Sequence, residues 1–182
     1  MGLLPQGELQ LQVGEVRFAS AGSRMRTILG SCVAITVWHP QRKIGSMCHY
    51  LLPSRNKPSA GALDGRYADE ALKLLLGYIH DAGGQIHDYE VKMFGGGNMF
   101  PSPATCPGQH VGWRNVHAGT QLLRQCGIEC MALHVGGFGH RQIILDLASG
   151  EVWMKHLKPK ARLTCIGCQK CAVQELCQSA FM

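Results

Sequence analysis

Two adjacent strand-like segments joined by a proline turn constrain the fold of this chain most strongly. Residues 31–38 (SCVAITVW) are apolar and rich in β-branched side chains, which is typical of a buried strand. Residues 39–43 (HPQRK) predict a turn, because proline fixes its own φ and has no N–H to donate to a sheet. Residues 44–52 predict a return strand. Together these segments predict a β-hairpin.

The rest of the chain predicts helices and further short strands. Apolar residues spaced for one helix face predict a helix over residues 66–82, ended by Gly83 and Gly84, and a second helix over residues 112–126. A surface loop is predicted over residues 53–65. The further strand predictions cover residues 10–18, 89–93, 131–135, 142–147 and 151–155. Because strands outnumber helices and hairpin-like turns recur, we expect an α/β (α+β) layered sandwich of mixed sheets with helices.

Charge and hydropathy exclude several function classes. The formal net charge is +6, but the Lys and Arg residues are scattered, with no basic stripe interleaved with aromatic residues. Nucleic-acid binding is therefore not expected. No run approaches the roughly 18 consecutive apolar residues that cross a bilayer, so membrane insertion is not expected. The N-terminal residues lack the pattern of a signal peptide, which predicts a cytoplasmic protein whose nine cysteines are mostly thiols.

Four cysteines lie close together in the last part of the chain. We expect a domain over residues 1–157 and a Cys-rich appendage over residues 158–182. The Cys-x2-Cys-x2-Cys spacing is one that ligates iron–sulfur clusters, and four thiolates can also hold Zn. The run lacks the Cys-x3-Cys-Pro ending of bacterial ferredoxins, and redox-sensitive free thiols are the alternative. The candidate ligands are Cys165, Cys168, Cys171 and Cys177.

Cys32 and His49 are the candidate nucleophile and base. Cys32 follows Gly30 and Ser31 at a loop-to-strand junction, where amide N–H groups are free to hold an oxyanion and glycine lets a substrate approach closely. The hairpin would bring His49 to a neighbouring strand end, within reach for a thiolate–imidazolium pair. Cysteine in a strand is more often simple core packing, and that alternative stays open from spacing alone. Cys48 should face the opposite side of its strand from His49.

The hairpin segment TILGSCVAITVWHPQRKIGSMCHYLLP resembles the signature of the chemoreceptor glutamine deamidase family, CheD. The resemblance continues through separated motifs that follow in the same order and together cover about residues 10–157. These motifs are GRYADEALKLLL, VKMFGGGNMF, VGWRNV, the Gly-Gly…His-Arg run around residues 136–141, and SGEVWMK.

The resemblance implies a fold, a site and a reaction. The fold is a three-layer α/β sandwich related to bacterial toxins that deamidate glutamines. The site is a Cys–His–Thr constellation in which Cys32 and His49 are catalytic and Thr27, by its position, orients His49 through its hydroxyl or backbone carbonyl. The reaction converts glutamines of methyl-accepting chemotaxis receptors to glutamate through a thioester, with no cofactor. Gly30 and Ser31 would line the substrate and oxyanion site.

A second function is also implied by the resemblance. The chain could serve mainly as an adaptor that binds receptors and a CheC-type phosphatase of the chemotaxis response regulator, with little catalysis. Retention of both Cys32 and His49 favours the enzyme. The sequence leaves open which receptor glutamines are modified, whether methylesterase activity is present, and the oligomeric state.

Two further motifs have structural interpretations. The glycines at residues 95–97 predict a turn where a strand approaches the active-site layer, not a phosphate loop, because the Lys-Ser/Thr of such a loop is missing. Arg114 and Asn115 lie at a helix start. We expect a structural hydrogen-bonding role for them first, and substrate contact second.

Overall fold

The computed structural model describes residues 7–55, 61–99 and 110–157. Within these ranges the chain forms two sheets and two α-helices. The strands are β1 (Gly7–Gln10), β2 (Val16–Ser20), β3 (Ser23–Leu29), β4 (Val33–His39), β5 (Ile44–Tyr50), β6 (Glu90–Gly95), β7 (Ala132–Val135), β8 (His140–Asp146) and β9 (Val152–Leu157). The helices are α1 (Ala68–Asp81) and α2 (Val111–Gln125), and a short 3-10 turn lies at Ile86–Asp88.

The predicted hairpin is confirmed and forms the middle of a five-stranded sheet. Its order is β2-β5-β4-β6-β7, with β6 and β7 parallel and the other neighbours antiparallel. β4 is central and every one of its residues is buried, as expected for a strand covered on both faces. The turn between β4 and β5 places Lys43 at a positive φ of 52°.

A four-stranded sheet of order β1-β3-β8-β9 packs on one face of this sheet, and both helices pack on the other. The molecule therefore has three layers: helices, five-stranded sheet, four-stranded sheet. This confirms the expected α/β sandwich of mixed sheets. One apolar core lies between the helices and the five-stranded sheet, and a second lies between the two sheets.

The helices begin and end close to the predicted residues. α1 has the acidic residues Asp69 and Glu70 in its first turn, where the positive end of the helix dipole stabilises their negative charges. It is followed by Gly83, which adopts the left-handed region with a φ of 71°. α2 is capped by His110, whose ring Nδ1 accepts a hydrogen bond from the Trp113 amide at 3.1 Å. Neither helix, nor any other helix in the described ranges, is long and apolar enough to cross a membrane.

The prediction of one strand over residues 10–18 is wrong. The chain turns at Gly14, where φ is 85°, so that β1 joins the four-stranded sheet and β2 joins the five-stranded sheet. The turn is held by the backbone of His49. The His49 carbonyl oxygen accepts a hydrogen bond from the Gly14 amide at 2.7 Å, and the His49 amide donates one to the Glu15 carbonyl at 3.0 Å. The alternation of apolar residues over 10–18 therefore runs from the end of β1, through the turn, into the start of β2.

β3 was not predicted as a strand of its own. Its residues alternate between buried and partly or fully exposed positions, but the buried set includes the polar residues Ser23 and Thr27 beside Met25 and Leu29. A hydrophobic period of two is hidden when polar residues occupy inward positions. The inward side chains of β3 are buried because the four-stranded sheet packs on the five-stranded sheet.

Candidate active site

The candidate site lies where the chain crosses from one sheet to the other. β3 ends at Leu29 in the four-stranded sheet, and β4 begins at Val33 in the five-stranded sheet. Gly30, Ser31 and Cys32 make the crossing. Their backbone is therefore outside both strand ladders, as the sequence predicts for a nucleophile at a loop-to-strand junction.

Cys32 and His49 lie on the same face of the five-stranded sheet. Ala34 pairs with His49 across β4 and β5, and Cys32 is two residues before Ala34, which makes Cys32 a diagonal neighbour of His49. Such neighbours lie about 7–8 Å apart at their Cα atoms, within reach of long side chains. Cys32 is half-buried against the core between the sheets, and Cys48 is buried against the helices. The opposite orientation of Cys48 is confirmed.

Thr27 reaches His49 from the opposing sheet. Its Oγ1 lies 2.8 Å from His49 Nδ1 and 3.0 Å from the carbonyl oxygen of Leu11. The threonine predicted by position thus contacts the histidine through its hydroxyl, one of the two routes expected. The contact joins β3 of one sheet to β5 of the other across the core between the sheets, against which Cys32 also packs.

The two contacts of Thr27 fix the tautomer of His49. A carbonyl oxygen only accepts, so the single hydroxyl hydrogen of Thr27 is donated to Leu11. Thr27 Oγ1 then accepts the hydrogen of His49 Nδ1. The lone pair of the imidazole is consequently on Nε2, which is buried and without a hydrogen-bond partner among the described residues. An imidazole nitrogen with an unused lone pair can act as a proton acceptor.

The pKa values of the two groups favour a neutral resting pair over the thiolate–imidazolium pair expected from the sequence. Burial lowers the pKa of His49 from 6.5 to about 4, with the Leu11 carbonyl opposing the shift. Burial also raises the pKa of the Cys32 thiol, and its own backbone amide acts in the opposite direction. Both shifts have the same physical cause, which is loss of water around the charged form.

Three successive carbonyl groups in the crossing segment are held by the surrounding loops. The Gly30 carbonyl accepts from the Gly97 amide at 2.8 Å, and the Cys32 carbonyl accepts from the Gly96 amide at 2.7 Å. Between them, the Ser31 carbonyl accepts from Asn115 Nδ2 at 2.9 Å. The glycine turn predicted to approach the active-site layer therefore does so directly, through backbone contacts.

Close packing explains why glycines stand in that turn. Gly96 has a φ of 67°, and a Cβ added there would lie 2.2 Å from the Val116 side chain. A Cβ on Gly112, at the start of α2, would lie 2.4 Å from the Gly96 carbonyl oxygen. The first turns of α2 and the glycine turn therefore pack backbone to backbone beside Cys32.

Arg141 is a buried cation at the same end of the layer, and sequence reasoning assigned it no role. It is 1% exposed, and its Nε donates to His134 Nδ1 at 2.8 Å. Burial lowers its pKa, and its Nη1 has no hydrogen-bond partner in the described part of the chain. It pairs with Leu29 at the end of β3, next to the crossing segment. The Gly-Gly…His-Arg run is evident in the sequence, but the burial of Arg141 is evident only in the structure.

The structure thus places Thr27 against His49, and places Gly30, Ser31 and Cys32 in the nearby crossing segment, with no hydrogen bond between Cys32 and His49 among the described residues. The structural hydrogen-bonding role expected of Asn115 is confirmed, although its partners, the Ser31 and Leu51 carbonyls, were not predicted. The Leu11 carbonyl was missed, because a backbone carbonyl has no sequence motif. The proposed appendage, with its four candidate metal ligands, lies outside the described residues, so the metal site and the domain boundary stay predictions. Those ligands are Cys165, Cys168, Cys171 and Cys177.

Comparison with known proteins places this architecture in a family. A family model described as CheD chemotactic sensory transduction matches residues 51–156. A Pseudomonas savastanoi pv. phaseolicola protein named probable chemoreceptor glutamine deamidase CheD is 49% identical over 150 residues, which cover 82% of this chain and 84% of that protein.

Two more distant relatives carry similar names. Probable chemoreceptor glutamine deamidase CheD 3 of Dechloromonas aromatica is 46% identical over 147 residues, covering 81% of this chain and 86% of that protein. The protein of Maridesulfovibrio salexigens with the name probable chemoreceptor glutamine deamidase CheD is 33% identical over 156 residues, covering 81% and 91% respectively. These matches, and the family model that spans more than half of the sequence, show that the chain belongs to the CheD family.

Proposed function

We propose that this chain deamidates glutamine side chains of methyl-accepting chemotaxis receptors, with Cys32 as nucleophile and His49 as base. The observation that carries the proposal is the orientation of His49. Thr27 and Leu11 commit Nδ1 as a donor, and this leaves a buried, unpartnered Nε2 on the face that Cys32 borders. The names of the relatives supply the substrate class.

Acylation begins from the neutral pair. His49 Nε2 takes the thiol proton as Cys32 Sγ forms a bond to the carboxamide carbon of the glutamine. The C=O π pair moves to oxygen, which becomes the oxyanion of a tetrahedral intermediate. The imidazolium then protonates the amide nitrogen, the C–N bond breaks, ammonia leaves, and a thioester to Cys32 remains.

Deacylation uses the same groups in the opposite sense. His49 takes a proton from a water molecule as the water oxygen attacks the thioester carbon. The C–S bond breaks, and the imidazolium returns the proton to Cys32 Sγ. The product is a glutamate side chain, so the net reaction consumes one water and releases one ammonia. No step requires a metal ion or an organic cofactor.

Backbone amides near the crossing segment would stabilise the oxyanion. In the described part of the chain, the carbonyl groups of the crossing segment accept hydrogen bonds from neighbouring groups, whereas the Ser31 and Cys32 amides donate none to other residues. Preorganised donors of this kind are worth about 10²–10³-fold in rate each. The Met99 side chain packs against Gly30, since it lies 3.1 Å from the position of an added Cβ.

The adaptor alternative makes a different demand on the molecule. A chain that only bridges receptors and a CheC-type phosphatase needs a surface but no oriented imidazole. A buried histidine with an unused nitrogen costs folding free energy, about 1–3 kcal/mol for an unsatisfied polar group. The retention of that arrangement favours the enzyme, and CheC-type binding would be an additional property of it.

The test is mass spectrometry of a chemoreceptor cytoplasmic domain from the same organism after incubation with the protein. Wild type should convert specific glutamines to glutamate, and Cys32→Ala should abolish the conversion. Cys48→Ala is the matched control, since Cys48 is buried on the other face of the sheet. It should retain activity within about 3-fold, because it loses only core packing. Conversion by Cys32→Ala, or none by wild type, would contradict the proposal.

A further inference from the structure

Asn115 is the buried polar residue that links α2 to the candidate site. It is fully buried, and its Nδ2 donates to the Ser31 carbonyl at 2.9 Å and to the Leu51 carbonyl at 2.7 Å. Both partners are carbonyl oxygens, which only accept, so the orientation of the amide group is fixed. Its own backbone carbonyl accepts a hydrogen bond from the Tyr50 hydroxyl at 2.9 Å, which anchors this part of the helix to β5.

The two carbonyls belong to the strand ends that carry the catalytic pair. Ser31 directly precedes Cys32, and Leu51 is two residues beyond His49. In the register of β4 and β5, Val33 pairs with Tyr50, so Cys32 and Leu51 come next at the end of the ladder. One side-chain amide therefore ties the nucleophile strand to the base strand.

The hold on Ser31 also sets the direction of the Cys32 amide. The peptide bond between Ser31 and Cys32 is trans, so its C=O and N–H point in opposite directions. Since the C=O points to Asn115, the N–H points away from α2. The Cys32 amide also acts on its own thiol, opposing the effect of burial on the pKa of that group. Because this amide belongs to the same residue as the sulfur that would be bonded to the tetrahedral carbon, it lies near the position where the oxyanion would form.

We propose that Asn115 is a positioning residue for the oxyanion hole. By holding the Ser31 carbonyl, it keeps the Ser31–Cys32 peptide plane in the orientation that directs the Cys32 N–H at the developing oxyanion. The inference rests on the proposed deamidase function. It goes beyond a general structural role, because it predicts loss of one catalytic interaction while the thiol stays reactive.

The test compares two reactions of the same thiol. Deamidation needs the oxyanion donor, whereas alkylation of Cys32 by iodoacetamide forms no oxyanion. Asn115→Ala should lower kcat for deamidation about 10²-fold or more, the usual effect of losing one oxyanion donor, with KM changed less than about 3-fold. The alkylation rate of the Cys32 peptide, followed by mass spectrometry, should change less than about 3-fold.

Leu123→Ala is the matched control for destabilisation of α2. Leu123 is buried in the last turns of the same helix and belongs to the core between the helices and the five-stranded sheet. Assayed well below its Tm, this variant should keep kcat within about 3-fold of wild type. Asn115→Asp is the second variant, nearly isosteric, and its carboxylate would repel the Ser31 carbonyl, so its kcat should fall further than that of Asn115→Ala.

An unaltered chain provides an independent measurement in case both Asn115 variants unfold. A glutamine-peptide analogue with an aldehyde in place of the side-chain carboxamide should add to Cys32 and place an oxygen where the oxyanion forms. The amide NMR signal of Cys32 should then shift more than that of any other residue in the crossing segment. The inference is overturned if Asn115→Ala behaves like Leu123→Ala, if alkylation falls in parallel with kcat, or if the Cys32 signal does not shift. If wild type itself fails to deamidate a receptor, the proposed function is what fails.

Discussion

The two faces of the five-stranded sheet differ sharply in what they bury. The face toward the helices buries an almost wholly apolar set of side chains, to which β4 and β5 contribute Val33, Ile35, Val37, Cys48 and Tyr50. The face toward the second sheet also lines an apolar core, but it buries His49 and is met by Thr27 and Arg141 from that sheet. Neighbours in sequence such as Cys48 and His49 belong to different environments, because strand side chains alternate.

Apart from the contact of Asn115 with the crossing segment, this division separates a face that mainly stabilises the fold from a face that we propose carries the chemistry. The helix face gains stability from apolar area removed from water. The inter-sheet face holds a neutral imidazole and a guanidinium that each leave a nitrogen without a partner among the described residues, at a cost in stability. Variants on the two faces should therefore affect different measurements.

The largest effect is expected for His49, compared with a second buried histidine on the opposite face of the sheet. His49→Ala should lower kcat for receptor deamidation about 10²–10⁴-fold, the range for loss of a general base. His39 is the matched control: it is also buried, it contacts the Tyr89 ring edge-on, and it lies on the helix-facing side of β4. His39→Ala should lower Tm and leave kcat within about 3-fold. Equal kcat losses in both variants would remove the distinction between the faces.

The next effect is on stability alone. Leu75 is fully buried between α1 and the sheet, so Leu75→Ala should cost about 2–5 kcal/mol in the free energy of unfolding, measured by urea denaturation. Its kcat, measured well below the lowered Tm, should stay close to that of wild type. A matching loss of kcat would show that packing of the helix layer controls the site beyond the single contact made by Asn115.

Acid pH should destabilise the protein through His49. The folded-state pKa is about 4 and the ordinary value is 6.5, so between these values the unfolded chain binds a proton that folded His49 does not. Stability should therefore fall as the pH falls from 6.5 to about 4, by about 3 kcal/mol in all, and this contribution is constant above 6.5. Urea denaturation at several pH values measures the slope, and His49→Ala should lose it. A wild-type slope unchanged in that variant would assign the effect to other groups.

Much of this arrangement could be predicted from the sequence because it follows local rules. The hairpin of β4 and β5 followed from an apolar, β-branched segment before a proline turn, and the alternation of Cys48 and His49 followed from the geometry of a strand. The two helices followed from apolar spacing. These features are set by residues close together in the chain.

The contacts that orient the site depend on residues far apart in the chain. The carbonyl of Leu11, the hydroxyl of Thr27 and the ring of His49 meet because β3 and β5 belong to sheets that pack face to face. Asn115 reaches Ser31 across 84 positions of sequence, and no spacing rule indicates such a contact. A backbone carbonyl, moreover, has no sequence signature, so the partner of Thr27 could be found only from the structure.

The smallest effect is expected for Thr27, and it sharpens the assignment of the inter-sheet face. Thr27→Val keeps the shape of the side chain but removes the hydroxyl, so Nδ1–H of His49 loses its acceptor and the Leu11 carbonyl loses its donor. We expect kcat to fall about 10–10²-fold, as for a misplaced catalytic group, and less than in His49→Ala, because the imidazole remains and the Leu11 carbonyl already acts on it. Thr27→Ser keeps the hydroxyl and should restore most of the rate. If the valine and serine variants have the same kcat, Thr27 contributes packing only, and the orientation of His49 depends on Leu11.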